Sequence, residues 1–196
     1  MVNKAIHLVF ATHNQHKLQE ASAIAGDSIS ISGLAELSCF DEIPETTDTL
    51  VGNALQKARF IFEKYHCDCF ADDTGLEVEA LDGRPGVYSA RYAGEHATYQ
   101  QNVDKLLEEM KDKTNRNARF VTVIALILNG KEYLFEGEVK GTITGTPRGE
   151  NGFGYDPVFQ PQGKTLTFSE LGENEKNMLS HRHNALQKMM DFFIQK

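Results

Sequence analysis

Phe70-Ala-Asp-Asp-Thr-Gly-Leu-Glu-Val-Glu-Ala-Leu81 sets two adjacent carboxylates, Asp72 and Asp73, at the end of a short apolar run and follows them at once with Thr74-Gly75. Cys69, Phe70 and Ala71 read as the end of a buried strand, while Leu76, Val78 and Ala80 alternate with Glu77 and Glu79 as a half-buried strand does. The spacing predicts a turn between two strands at the acidic pair. Neighbouring carboxylates repel, so two of them at one backbone point either stand in water or share a cation. A hard divalent ion such as Mg²⁺ suits them, because it takes oxygen ligands and needs only one or two carboxylates beside substrate phosphates. A solvated acidic turn satisfies the fragment equally well. The decision falls to the rest of the chain.

Upstream, Ile6 to Phe10 reads as a buried strand, and Ala11-Thr-His-Asn-Gln-His-Lys17 leads from it into a helix carrying Leu18, Ala21 and Ile24 on one face. A strand-to-helix junction is an anion site in waiting, since free N–H groups and the helix dipole point toward it. Lys17 adds a full charge there, and Thr12 and Asn14 add neutral donors. The loop has no glycine and is not a P-loop. A second helix starts near Asp48 or Thr49, with apolar Val51, Ala54, Leu55, Ala58, Phe62 and Tyr65 on one side and Asn53 and Lys57, one turn apart, on the other. Glu45, after Pro44, is a third acidic candidate for a metal, and Lys57 a candidate phosphate contact.

Downstream, Tyr99, Val103, Leu106, Leu107 and Met110 predict a third helix, and Arg119 to Leu128 joins Lys131 to Val139 through Asn129-Gly130, a strong hairpin signal. Gly141 to Phe159 reads as an ordered loop reaching a short strand. Within it, Asn151-Gly-Phe-Gly-Tyr-Asp-Pro157 places Phe153 and Tyr155 among glycines, suited to close backbone approach and to stacking on a planar ring. Lys176, His181 and Arg182 cluster near the start of a last helix capped by Ser180, where Arg182 offers a planar fork to a phosphate or a base carbonyl. Gly86 to Tyr92 adds Arg91 in another loop, without a secure role. The alternation of strands and helices predicts a mixed α/β chain, and the hairpin argues against a purely parallel sheet.

With 196 residues, no repeat and no low-complexity tract, residues 1–196 read as a single domain able to bury a core. Lys and Arg number 20 against 28 Asp and Glu, a formal charge of −8 that argues against broad nucleic-acid or anionic-membrane binding. A small phosphorylated ligand remains compatible, because a local cationic pocket outweighs the mean charge at close range. Three cysteines, Cys39, Cys67 and Cys69, with no secretory or targeting segment visible before Ile6, point to a reduced, cytoplasmic protein with buried thiols. The apolar run from Phe120 to Leu128 is far too short to span a bilayer.

Six blocks taken in order resemble the inosine triphosphate pyrophosphatase family: Ala11-Thr-x-Asn-x-x-Lys17 with Glu20, Asn53-Ala-x-x-Lys57-Ala, Asp72-Asp-Thr-Gly-Leu, Pro85-Gly-Val-Tyr-Ser-Ala-Arg-Tyr92, Gly152-Phe-Gly-Tyr-Asp-Pro157 and Glu175-Lys-Asn-x-x-Ser-His-Arg182. The resemblance runs the length of the chain. It implies Mg²⁺-dependent hydrolysis of ITP, dITP and XTP to the monophosphate and pyrophosphate, which removes deaminated purines from the nucleotide pool. It also implies a two-lobed mixed-sheet α/β fold with a long β-hairpin, a substrate cleft between the lobes, and a homodimer.

Carried over residue by residue, Asp73 matches the metal-linked catalytic acid, Glu45 an acidic metal ligand, Asp72 the neighbour in the acidic pair, and Lys57 a phosphate-side lysine. Thr12, His13, Asn14, Gln15, His16 and Lys17 match the triphosphate loop. Thr74, Phe153, Gly154, Tyr155, Asp156, Lys176, His181 and Arg182 match nucleotide contacts. Thr74 stands where serine is common and His13 where glycine is frequent; Asp48 has no assigned role. A Maf-like pyrophosphatase acting on other modified nucleotides, and a nucleotide sensor without turnover, are the rival readings.

Overall fold

The computed structural model describes residues 6–26 and 29–194. The stretch ahead of Ile6, on which the expectation of no targeting segment rests, lies outside them. The elements run β1 (Ile6–Phe10), α1 (Gln15–Ala25), β2 (Ile29–Ser32), α2 (Leu50–Tyr65), β3 (Cys69–Val78), β4 (Pro85–Gly86), α3 (Tyr99–Glu109), β5 (Asn117–Leu128), β6 (Lys131–Ile143), β7 (Phe159–Pro161), α4 (Glu173–Leu179) and α5 (His181–Ile194). The strand order is β2-β1-β3-β5-β6-β7, with β4 on β3. The parallel pairs β1–β2 and β1–β3 beside the antiparallel pairs β3–β4 and β6–β7 make the predicted mixed α/β chain. No described helix is long and apolar enough to cross a membrane.

The chain divides into two compact units, each built from separated segments: Met1–Asp73, Thr122–Gly137 and Arg182–Lys196 form the first, Thr74–Val121 and Glu138–His181 the second. In the first unit, successive strand residues feed two different cores, as the pleat requires. Val9, Ala11, Cys69, Ala71, Val123, Ala125 and Ile127 pack with Ala54, Ala58 and Ile61 of α2. Leu8, Phe10, Phe70, Ile124 and Leu126 pack with Ala21 and Ala25 of α1 and with Ala185, Leu186 and Met189 of α5. Strands covered on both faces explain the near-continuous apolar runs in β1 and β5, broken only by His7 and, from Phe120 on, by Thr122.

In the second unit a single core gathers Leu76, Val78, Phe120, Val103, Leu106, Phe159 and Phe168. The opposite face of those strands carries Glu77 and Arg119, half-buried and ion-paired at 2.7 Å. One face covered and one wet is the alternation read from Leu76-Glu-Val78.

The structure departs from the sequence expectations in four places. The predicted turn at the acidic pair is absent: β3 runs unbroken from Cys69 to Val78, because both carboxylates find cationic partners and need no water. The Asn53–Lys57 face of α2, expected to be polar, is the buried one, whereas Val51 is exposed. β6 extends to Ile143, taking in the start of the predicted loop, where Gly141 to Ile143 pair with β7. The C-terminal helix begins directly after an extended Ser180 as expected, but a separate short helix, α4, that the sequence reading did not place precedes it. The Asn129-Gly130 turn forms as predicted, both residues having positive φ.

Candidate active site

The pleat of β3 sends Asp72 and Asp73 in opposite directions. Asp72 lies on the α1/α5 side, 1% exposed. Its Oδ1 accepts from Lys17 Nζ at 2.8 Å and its Oδ2 from Arg182 Nε at 3.0 Å. Arg182, itself 2% exposed, also donates through Nη1 to Glu20. Lys17 and Glu20 lie three residues apart on α1, so one helix face supplies both a cation and an anion to this network. Burial alone would raise the pKa of Asp72, but the charges of Lys17, Arg182 and Lys57 together hold it well below the usual carboxylate range. Lys17 moves the other way: burial lowers its pKa, and Asp72 only partly offsets that.

Asp73 lies on the α2 side, 7% exposed. Asn53 Nδ2 donates to its Oδ2 at 3.1 Å, and Lys57 Nζ stands 4.0 Å from its Oδ1. Lys57 Nζ also contacts Glu45 Oε1. Two carboxylates therefore converge on one ammonium. Burial raises the pKa of Asp73, and Glu45 adds a like charge, while Lys57 is shared and relieves it only in part. Lys57 itself is held protonated: burial works against its charge, but Asp73, Glu45 and Asp72 outweigh it.

The Thr12 to Lys17 segment forms a strand-to-helix junction between β1 and α1. Asn14 caps α1, its Oδ1 accepting from His16 N at 3.0 Å and Lys17 N at 3.4 Å, while Asn14 N donates to Thr12 Oγ1 at 3.1 Å. The chain's own cap thus occupies part of the anion site expected at this helix end. His13 Nε2 lies 2.8 Å from the carbonyl of Asp41, and Gln15 and His16 are exposed in the first turn of α1.

In the second unit, Asp156 Oδ2 accepts from Phe153 N at 2.8 Å and from Lys176 Nζ at 2.8 Å. Lys176 Nζ stands 4.7 Å from the Phe153 ring centroid. Gly152, at φ +81°, lets the carboxylate fold back: a Cβ there would sit 2.3 Å from Asp156 Oδ2. Tyr155, expected to stack on a ligand with Phe153, is instead a core residue whose hydroxyl donates to Ser89 O at 2.8 Å. Burial pushes its phenol pKa up. Gly154 has φ +63°, and Thr74 is half-buried directly after Asp73 in β3. His181 stacks on Phe120, centroids 4.7 Å apart and planes 17° apart, with Phe168 beyond at 6.5 Å. Arg91 sits over the Tyr88 ring at 5.3 Å.

The first unit thus brings Glu45, Lys57 and Asp73 into one cluster and Lys17, Asp72 and Arg182 into another; the second brings Phe153, Asp156 and Lys176 into a third. Sequence reasoning gave no role to Asn53, Glu20 or Phe120. Helical spacing was the available signal for the first two, Asn53 being four residues from Lys57 and Glu20 three from Lys17. Among the described residues no three His, Cys, Asp or Glu side chains gather as a metal nest. Mg²⁺ that brings its own phosphate ligands needs only one or two carboxylates, and the hard oxygens of Glu45 and Asp73, already turned to a single cation, fit it.

The Ham1 family model matches residues 8–192. A Porphyromonas gingivalis protein named dITP/XTP pyrophosphatase is 54% identical over 95% of this chain and 97% of its own length. One of the same name from Flavobacterium psychrophilum is 51% identical over 96% and 99%. Among solved structures, a HAM1 protein from Coxiella burnetii aligns with TM-score 0.89 and 38% identity over 97% of this chain and 100% of that one. The Staphylococcus aureus Ham1 protein aligns with TM-score 0.87 and 37% identity over 96% and 98%.

Proposed function

The chain belongs to the Ham1 family, and on that premise we propose that it is a nucleoside-triphosphate pyrophosphatase that hydrolyses purine triphosphates with altered bases, dITP and XTP foremost, to the monophosphate and pyrophosphate. The observation that carries the chemistry is the convergence of Glu45 and Asp73 on Lys57. A pair of carboxylates turned to one cation, in a unit that also presents Lys17, suits a metal–phosphate complex.

Glu45 and Asp73 are the residues that would hold Mg²⁺, which when bound polarises phosphate oxygens and neutralises their charge. Asp73 accepts the proton of the attacking water; burial raises its pKa above the ordinary carboxylate value, which makes it the stronger base of the acidic pair. Lys57 and Lys17 donate to the phosphate oxygens and stabilise the charge that grows on the leaving pyrophosphate. Asp72 is fully engaged by Lys17 and Arg182, so its part is to orient those two cations. Phe153, held by Asp156 and flanked by Lys176, offers the ring on which a purine stacks. His181 and Arg182 supply the donors that favour a 6-oxo purine, a kind of recognition that discriminates by about 10⁴ to 10⁵ when an unmatched base leaves them unpaired.

The same reading makes residues 1–196 one catalytic domain, and the interleaving of segments from both units supports it. It includes a homodimer, carried over from the resemblance and checked by sedimentation equilibrium. It also includes a cytoplasmic setting, supported by three free thiols and checked by fractionation.

The deciding experiment identifies the first product from dITP with Mg²⁺. Pyrophosphate is expected; orthophosphate would move cleavage to the γ position and overturn the mechanism. A panel of triphosphates in the same assay separates the rival substrate class, since preference for a pyrimidine would contradict the base assignment.

A further inference from the structure

We propose that Asn53 is a positioning residue that locks the Glu45 segment and Asp73 into one register, so that their two carboxylates face a single divalent cation. The inference deepens the proposed function and rests on it for the identity of the cation.

The orientation of the Asn53 amide follows from its neighbours. Thr47 N–H can only donate, and it lies 3.0 Å from Asn53 Oδ1, which also accepts from Thr47 Oγ1 at 2.9 Å. The oxygen therefore faces Thr47, and the nitrogen is turned to Asp73 Oδ2 at 3.1 Å. The side chain is 1% exposed, so water does not compete for these bonds. Thr47 stands two residues after Glu45, and its neighbour Thr46 is gripped by the same helix: Thr46 N donates to Gln56 Oε1 and Gln56 Nε2 to Thr46 Oγ1, both at 2.9 Å. Gly52 makes the approach possible, because a Cβ there would lie 2.3 Å from Thr47 Oγ1. One helical face, Asn53 with Gln56 and Lys57, thus holds two like charges together that would otherwise separate.

The test follows Mn²⁺ binding to the full chain through loss of the free-ion EPR signal, and dITP hydrolysis with Mg²⁺, in wild type, Asn53→Ala, Thr47→Val and the double variant. Thermal unfolding confirms that each is folded. Asn53→Ala is expected to weaken Mn²⁺ binding about 10- to 100-fold, the usual cost of losing a group that orients a metal ligand. kcat falls with it, while KM for dITP changes little. Thr47→Val keeps the side-chain shape and loses one donor. It is expected to weaken Mn²⁺ in the wild-type background but to add nothing in Asn53→Ala, because it acts through Asn53.

Unchanged Mn²⁺ affinity in Asn53→Ala overturns the proposal, as does a Thr47→Val effect of equal size in both backgrounds. Should Asn53→Ala not fold, Thr47→Val decides, and wild-type Mn²⁺ affinity there overturns it. Wild-type turnover of dITP with no Asn53 effect sinks the positioning role alone. The expected Mn²⁺ pattern without dITP turnover upholds that role and sinks the proposed reaction.

Discussion

Asp72 and Asp73 are chain neighbours that answer to different helices: Asp72 is bound by Lys17 of α1 and Arg182 of α5, Asp73 by Asn53 of α2 with Lys57 nearby. Electrostatic repulsion between them is relieved by the pleat, which sends successive side chains to opposite faces of the strand. Their environments push their acidities apart, Asp72 down and Asp73 up. Divergent pKa values in adjacent carboxyl groups mark divergent roles.

Asp73→Asn is nearly isosteric and removes the carboxylate charge together with the proposed proton acceptor. Turnover of dITP is expected to fall by at least about 10²-fold while the fold and nucleotide binding persist. Rates measured beside equilibrium binding check this; undiminished turnover would contradict the assignment.

Asp72→Asn removes the carboxylate that Lys17 and Arg182 share and leaves Arg182 its ion pair with Glu20. Breaking a buried charge network in this way is expected to cost about 3–5 kcal/mol. Urea unfolding at pH 7 measures it, and a midpoint equal to wild type would show that the network does not stabilise the fold.

The two carboxylates carry opposite pH signatures. Asp72 has a folded pKa well below its unfolded value of about 3.9, so its contribution is present above about pH 4 and lost as pH falls toward the folded value. The stability gap between wild type and Asp72→Asn should be flat from about pH 7 to 5 and close below about pH 4. Asp73, raised on folding, weakens the folded state once pH exceeds its unfolded pKa, so metal-free Asp73→Asn should be more stable than wild type at neutral pH. Urea midpoints across this range check both, and parallel curves would refute them.

Gly152→Ala forces a Cβ against Asp156 Oδ2 at positive φ and displaces the carboxylate that holds Phe153 N and Lys176. A loss of about 1–3 kcal/mol is expected from the strained backbone alone. KM for dITP should rise with kcat less affected, because on the proposed reading the residues displaced bind the nucleotide and do not react. Steady-state kinetics decide it, and an unchanged KM would detach this loop from the ligand.

The mixed α/β class, the hairpin at Asn129-Gly130 and the capped start of α2 at Thr49 were legible because each depends on a few consecutive residues. The polar face assigned to α2 was not, since a helix hides Asn53 and Lys57 only if some other segment supplies their partners, and those partners are 6 to 20 residues away. Tyr155 was misplaced for the same reason: its burial depends on a carbonyl 66 residues earlier.

By itself, the sequence determined which groups the chain carries and where: an acidic pair in an apolar run, a lysine at a helix start, a Lys-His-Arg cluster near the C-terminus. Only the tertiary structure decided which carboxylate meets which cation. That choice turns on β3 running straight through the acidic pair, because period-two alternation then assigns Asp72 to Lys17 and Arg182, and Asp73 to Asn53 and Lys57. Contacts spanning 55 and 110 residues, such as Lys17 and Arg182 on Asp72, leave no mark in local spacing.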